Sequence, residues 1–425
     1  MTDKIRTVFA REVISARGHP GVETTIVTEK GASGTAVATA GTSVGKHETA
    51  FVYDGGPRWG GLGVKTAVNN VNSIIAPAIR GWDVTSQSVI DQEMIRLDGT
   101  PNKSRLGGNA LASVSAAALK AAANSLGVPL YQHIGGADAR ILPVPNVVAI
   151  GGSERYGGGE RSGGKPNYAF LPYGFDSYSD ASYACWEIRR ELKKIVRKKY
   201  DLDIGMSYNE MPNIPSGKVE HDRELWDVMT EAIEELGYSK KIAIQMDAGA
   251  GTYYSEKTHT FIGLFSKGEK TKADLIELYE HAVAVYPFLV IEDPLDEEDY
   301  EGHAILTKAL GIEVVGDDLF TTNAERLRRG IEAGACNAIK LKVNQIGTIT
   351  EAFNAVQLAY SKNYGVMPCS SRGEGSDIAD YAVGLNTGHM DDGGMDETAN
   401  RLLKIELELG SRAAFLGKAA LKTKK

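Results

Sequence analysis

FLVIEDP (288–294) decides the fold when it is read with the two segments that come after it, EVVGDD (313–318) and AIKLKVNQIG (338–347). Each contains a run of aliphatic, largely β-branched residues and reaches a charged one: Glu292, Asp317 and Lys342. The three are spaced 25 residues apart, about the length of one strand, one helix and two loops. Successive units therefore deliver a charged side chain to the same rim. An earlier run, IAIQMD (242–247), ends the same way in Asp247. In a parallel β/α barrel that rim is the C-terminal face, where active sites are built. Carboxylates that converge without a cation repel one another, and all-oxygen ligation points to Mg²⁺ rather than zinc. Asp247, Glu292 and Asp317 are the expected ligands. Lys342 reads either as a structural partner for these acids or as a base, since a barrel-lining lysine beside a dication should lose its proton easily and suits removal of a proton next to a carboxylate.

The rest of the composition fits a soluble enzyme. A chain of 425 residues is long enough for two domains with buried cores. A net charge of −8, with no basic stripe, argues against a nucleic-acid partner. Basic residues do cluster in RRELKKIVRKKY (189–200), but Leu192, Ile195 and Val196 make this the wet face of an amphipathic helix. Cys185, Cys336 and Cys369 are far apart and odd in number, which fits neither a zinc site nor a disulfide framework and makes a reducing cytoplasm the expected location. The sequence shows no signal peptide and no apolar run long enough to span a membrane.

Two regions differ in pattern. VETTIVTEKG (22–31) and TAVATAG (35–41) alternate as antiparallel strands do, and helical periodicity follows over 63–80, 87–97 and 108–126. From Leu142 onward strands and helices alternate: 242–247, a helix over 272–285, 288–292, a helix over 323–333, 337–342, a helix over 348–361 and 364–369. The expected fold class is α/β, a β/α (TIM-type) barrel over 136–425 with a small N-terminal α+β domain over 1–135. GGSERYGGGERSGGK (151–165) has neither dinucleotide nor phosphate-loop spacing and reads as a mobile loop over the rim.

Nearly the whole chain resembles the enolase family. The likeness is carried by SARGHPGVE (15–23), GTSVGKHE (41–48), LDGTPNKSRLGGNA (97–110), IEDP (291–294), GDDLFTTN (316–323) and KVNQIGT (342–348). It implies a homodimer or higher homo-oligomer, Mg²⁺ on Asp247, Glu292 and Asp317, Lys342 as catalytic base, Ser43 on a loop closing over substrate, and Arg372 on a phosphate group. Several positions depart from the family pattern. Glu154 stands for the histidine of its GSHAG segment, Tyr168 and Ser207 stand at the places matched to its acidic pair, Ser371 replaces a substrate-side histidine, and Asp391 replaces a second active-site lysine. Glu210 is the nearest substitute acid. Lys340 lies two residues before Lys342 on the same strand and so points into the barrel; it is read either as a second cation that tunes Lys342 or as a deeper structural partner of a carboxylate.

These readings leave three functions. The first is a Mg²⁺-dependent lyase forming an enolate from a small phosphorylated or phosphonate carboxylate, with an altered substrate or second step. The second is phosphopyruvate hydratase with relocated acids such as Glu210 or Glu154. The third is a non-catalytic binding protein, disfavoured because like charges are costly to hold together without chemistry to perform.

Overall fold

The computed structural model describes residues 2–15, 18–41, 44–152, 155–202, 212 and 214–424. Three antiparallel strands, β1 (Ile5–Ile14), β2 (Pro20–Thr28) and β3 (Ser33–Ala38), open the chain in the order β1-β2-β3. Helices α1 (Gln87–Asp98) and α2 (Gly108–Leu126) follow. The alanine-rich α2 is buried along most of its length, and small residues let it lie directly on the sheet. At Gly34 a Cβ would sit 2.2 Å from the Ala117 carbonyl oxygen, so only glycine allows this approach. Ile5, Val22, Ile26, Val71, Ile90, Met94 and Leu111 belong to the hydrophobic cluster formed there.

A separate hydrophobic cluster belongs to the barrel. Its strands are β4 (Val144–Ile150), β5 (Asn167–Pro172), β6 (Ile242–Asp247), β7 (Phe288–Glu292), β8 (Glu313–Gly316), β9 (Ala338–Leu341), β10 (Gly365–Pro368) and β11 (His389–Gly393). Around the ring they run β10-β9-β8-β7-β6-β5-β4-β11, and a parallel bridge between Cys369 and Asp391 closes it. Outside lie α3 (Tyr178–Tyr200), α4 (Arg223–Glu235), α5 (Lys272–Val285), α6 (Tyr300–Leu310), α7 (Ala324–Ala333), α8 (Ile349–Ser361), α9 (Asp377–Gly384) and α10 (Glu397–Leu409). Their starts are chemically marked. Thr271 and Asp274 form a capping box on α5, and Asn323 and Thr348 cap α7 and α8. Among the described residues no single helix is long and apolar enough to cross a membrane.

One strand departs from simple parallel alternation. β5 is antiparallel to both β4 and β6. A parallel return needs a crossover, usually a helix, and no helix lies between β4 and β5 among the described residues. The glycine-rich link instead packs down: a Cβ on Gly158 would fall 1.8 Å from the Ile262 carbonyl oxygen, and one on Gly159 would fall 2.3 Å from the Tyr253 ring. Because β5 runs backwards, its first residues stand at the rim where the other strands end.

The N-terminal region reaches this rim too. The buried Asp91 carboxylate on α1 accepts the Thr350 hydroxyl at 2.6 Å and its N–H at 3.0 Å, and Lys103 pairs with Glu351 at 2.9 Å. These bonds tie α1 and the loop after it to α8. Segment 44–48 lies on the barrel loops, with the Lys46 N–H donating to Glu297 at 3.0 Å.

Candidate active site

Register places the charged strand ends side by side. Glu292 pairs with Asp247 across β7 and β6 and with Val315 across β7 and β8, so Asp317 emerges beside them. Glu292, Asp293 and Asp317 are all buried, with one oxygen from each within 4.8 Å of the others. Asp293 is the member sequence reasoning missed. Its two oxygens accept the backbone N–H groups of Asp317 and Asp318 at 3.0 and 2.8 Å, which fixes the turn after β8. Asp247 stands outside that close group. Its Oδ2 lies 3.2 Å from the Lys165 ammonium, while its Oδ1 and Glu292 Oε1 are buried without hydrogen-bond partners among the described residues.

Three lysines compensate the acids. Lys340 Nζ bridges Glu292 Oε2 and Asp391 Oδ2, both at 2.5 Å, and is almost wholly buried. Asp391 also accepts Asn146 at 2.6 Å and Gln245 at 3.2 Å. Lys340 is thus a partner of two carboxylates, and its charge also opposes that of Lys342, so both readings of it keep support. Lys342 pairs with Asp317, whose other oxygen accepts Gln345 Nε2 at 2.8 Å. Burial alone would push the Asp317 carboxyl up, but Lys342, Lys165 and Lys340 hold it far below the usual range. Lys342 behaves conversely: burial favours its neutral form, yet Asp317 keeps it protonated. Asp317 is thus the group that sets the protonation of Lys342. Burial, then Asp247, drives the Glu292 carboxyl upward.

Lys165, Asn167, Gln245, Lys342, Ser371 and Asp391 are among the residues around a cavity of about 300 Å³ within the barrel mouth. Ser371 Oγ is buried there without a partner among the described residues. Arg372 also borders it, and its guanidinium grips both oxygens of the buried Glu48 carboxylate, tying segment 44–48 to the barrel.

Tyr168 is a correction. Its neighbours Asn167 and Ala169 face the cavity, and strand alternation turns Tyr168 outward into the helix layer. There it is fully buried, packs edge-on to Trp226 and donates its hydroxyl to Asp222 at 2.6 Å. It binds no substrate from that position. Asn167, paired with Asp247 across β5 and β6, is the residue that faces the cavity at this point. Ser43, Glu154, Ser207 and Glu210 lie outside the described residues.

Residues 5–134 match the family model described as "Enolase, N-terminal domain" and residues 139–424 the one described as "Enolase, C-terminal TIM barrel domain". The chain belongs to the enolase family. Relatives named "Enolase" from Methanopyrus kandleri and Thermococcus kodakarensis are 44% and 42% identical to it, over 97% and 98% of this chain and 97% of each relative. That from Methanocaldococcus jannaschii is 42% identical over 96% of both chains. Within an enolase-family barrel, an amide at Asn167 and an ammonium at Lys165 are the features of the cavity that the sequence motifs did not announce.

Proposed function

We propose that the chain is a Mg²⁺-dependent lyase that removes the proton α to the carboxylate of a small phosphorylated carboxylate, with Lys342 as base. The observation that carries this reading is near-full-length similarity to relatives named enolase, joined to Lys342 standing beside the carboxylate group on one rim. On that ground dehydration of 2-phosphoglycerate is the first reading, favoured over the altered substrate expected from the motif departures.

The residues fit a hard dication. All donors are carboxylate oxygens, and two buried ones, Glu292 Oε1 and Asp247 Oδ1, have no partner among the described residues. Glu292, Asp317 and Asp247 would hold the ion, with Asp293 anchoring the turn that carries Asp317. When bound, such an ion supplies the charge that steadies an enolate. The chain's own residues do the rest. Lys342, freed of Asp317, takes the α-proton on Nζ as a neutral amine. Lys340 keeps Glu292 and Asp391 in place, and Gln345 keeps Asp317 aimed. The pairing of Glu48 with Arg372 holds segment 44–48 over the rim and limits water.

A second reading keeps the enolate and changes the step after it. Asn167 favours it, because an amide facing the cavity cannot protonate a leaving hydroxide, and a positioned acid contributes roughly 10²–10⁴ in rate. The family reading also supports a homodimer or higher homo-oligomer. Two assays on one preparation decide: phosphoenolpyruvate formation from 2-phosphoglycerate, and exchange of the α-proton with solvent deuterium. Both are expected under the first reading, exchange alone under the second. Absence of both with a ligand shown to bind refutes the enolate and leaves a binding protein.

A further inference from the structure

Lys165 is a cation of the cavity for which the enolate reading has no use. It enters just before β5, and Lys342 follows β9; around the ring three strands separate β5 from β9 in either direction, so the two side chains enter from opposite walls. Its seat is built. The Gly249 backbone, at φ +49°, leaves room for the stem, since a Cβ there would lie 2.3 Å from Lys165 Cδ. The Lys165 carbonyl accepts the Tyr253 hydroxyl at 2.5 Å, and the Tyr253 ring is in turn packed on Gly159. The ammonium is therefore presented from a fixed slot rather than from a free arm.

Its partners are few for so buried a charge. Among the described residues Asp247, at 3.2 Å, is the carboxylate within ion-pair reach, whereas Lys340 is bracketed by two. An ammonium carries three donors, so Lys165 has capacity left for an anion in the cavity. Burial opposes its charge, but Asp247, Asp318, Asp317 and Glu292 together keep it protonated. Asp247 is also an oxygen that a dication on this rim would claim, and one oxygen cannot serve both cations at full strength.

We infer that Lys165 is a substrate-contacting residue, whose ammonium binds an anionic oxygen of the ligand from the wall opposite Lys342 and yields Asp247 to the dication. This rests on the reading of the ligand as a phosphorylated or phosphonate carboxylate and adds a cation that selects for its charge.

Calorimetry on the full chain tests it with two probes, Mg²⁺ alone and then phosphonoacetate at saturating Mg²⁺. Lys165→Met keeps the stem and removes the charge. It is expected to bind Mg²⁺ several-fold more tightly, because a competing cation is gone, and phosphonoacetate roughly 10–100-fold more weakly, as loss of a charge-assisted hydrogen bond does. Lys165→Arg, which restores the charge in the same slot, is expected to recover much of the phosphonoacetate affinity. Unchanged phosphonoacetate binding in folded Lys165→Met, equal losses in Met and Arg, or weakened Mg²⁺ binding overturns the inference. So does a parent protein that binds Mg²⁺ but not phosphonoacetate. Charge-dependent binding without proton exchange keeps Lys165 and removes the enolate, whereas exchange with binding indifferent to Lys165 does the reverse.

Discussion

Replacing Lys340 by methionine removes the bridge between Glu292 and Asp391 while nearly keeping the stem volume. Both contacts are 2.5 Å, and the lysine and Glu292 side chains are essentially inaccessible. Water therefore cannot substitute for the lost ammonium at Glu292. Removing one partner of a buried pair costs about 3–5 kcal/mol, because the other charge is left uncompensated. For a chain of 425 residues, an unfolding entropy of about 2.1 cal/mol/K per residue sums to about 0.9 kcal/mol/K. The melting temperature is then expected to fall by about 3–6 °C, read by scanning calorimetry at neutral pH without divalent ions. Adding Glu292→Gln to Lys340→Met should recover part of the loss, since the stranded charge is gone. A single variant that melts within about 1 °C of the parent, or a double variant that simply sums two losses, would refute the bridge as described.

Other outcomes rest on the same contacts. At 100 times its dissociation constant, Mg²⁺ should stabilise the parent by about 2.7 kcal/mol, a rise of roughly 3 °C, and Glu292→Gln should abolish most of that rise; an undiminished rise would place the ion elsewhere. Tyr168→Phe should lower the melting temperature by about 1–3 °C through loss of the shorter hydrogen bond to Asp222 Oδ2, while phosphonoacetate affinity stays unchanged; a weaker ligand would return Tyr168 to the pocket. Burial, then Arg223 and Lys270, pulls the His221 pKa down to about 4, and its Nδ1 accepts the Arg223 N–H at 2.9 Å. A histidine with a depressed folded pKa contributes stability that is present above its unfolded value, near 6.5, and is lost as pH falls toward 4. His221→Gln should therefore flatten the fall in melting temperature between those limits, and an unchanged slope would remove His221 as its source.

The barrel is legible where burial on both faces makes a strand a continuous apolar run, as in 288–291, with a charge where the run meets the rim. The helices of the same region fall within a residue of expectation, because Thr271, Asn323 and Thr348 mark their starts with capping side chains. The features that escape depend on pairing between distant segments. Tyr168 is assigned to the pocket by sequence matching through a one-residue error of parity, and the face of β5 is fixed by Asn167 pairing with Asp247, a contact no local pattern reveals. Lys165 escapes for a related reason. A lysine after a glycine-rich link looks like any solvated charge until the strand behind it is known to run backwards.

The reversal of β5 also bears on how such a cavity can change over evolutionary time. In the forward strands, a rim side chain is the last residue of an element whose register is locked on both sides, and it is followed by a loop that must still lead into a helix. At β5 the rim is reached from the opposite direction, out of a glycine-rich link with no helix among its described residues. Close packing at Gly158 and Gly159 restrains that link, so variation there falls on side chains at the cavity wall, such as Lys165, while the hydrogen-bond ladder behind them is left intact. A barrel with one inverted stave thus keeps a port for chemical novelty that its seven regular staves do not offer.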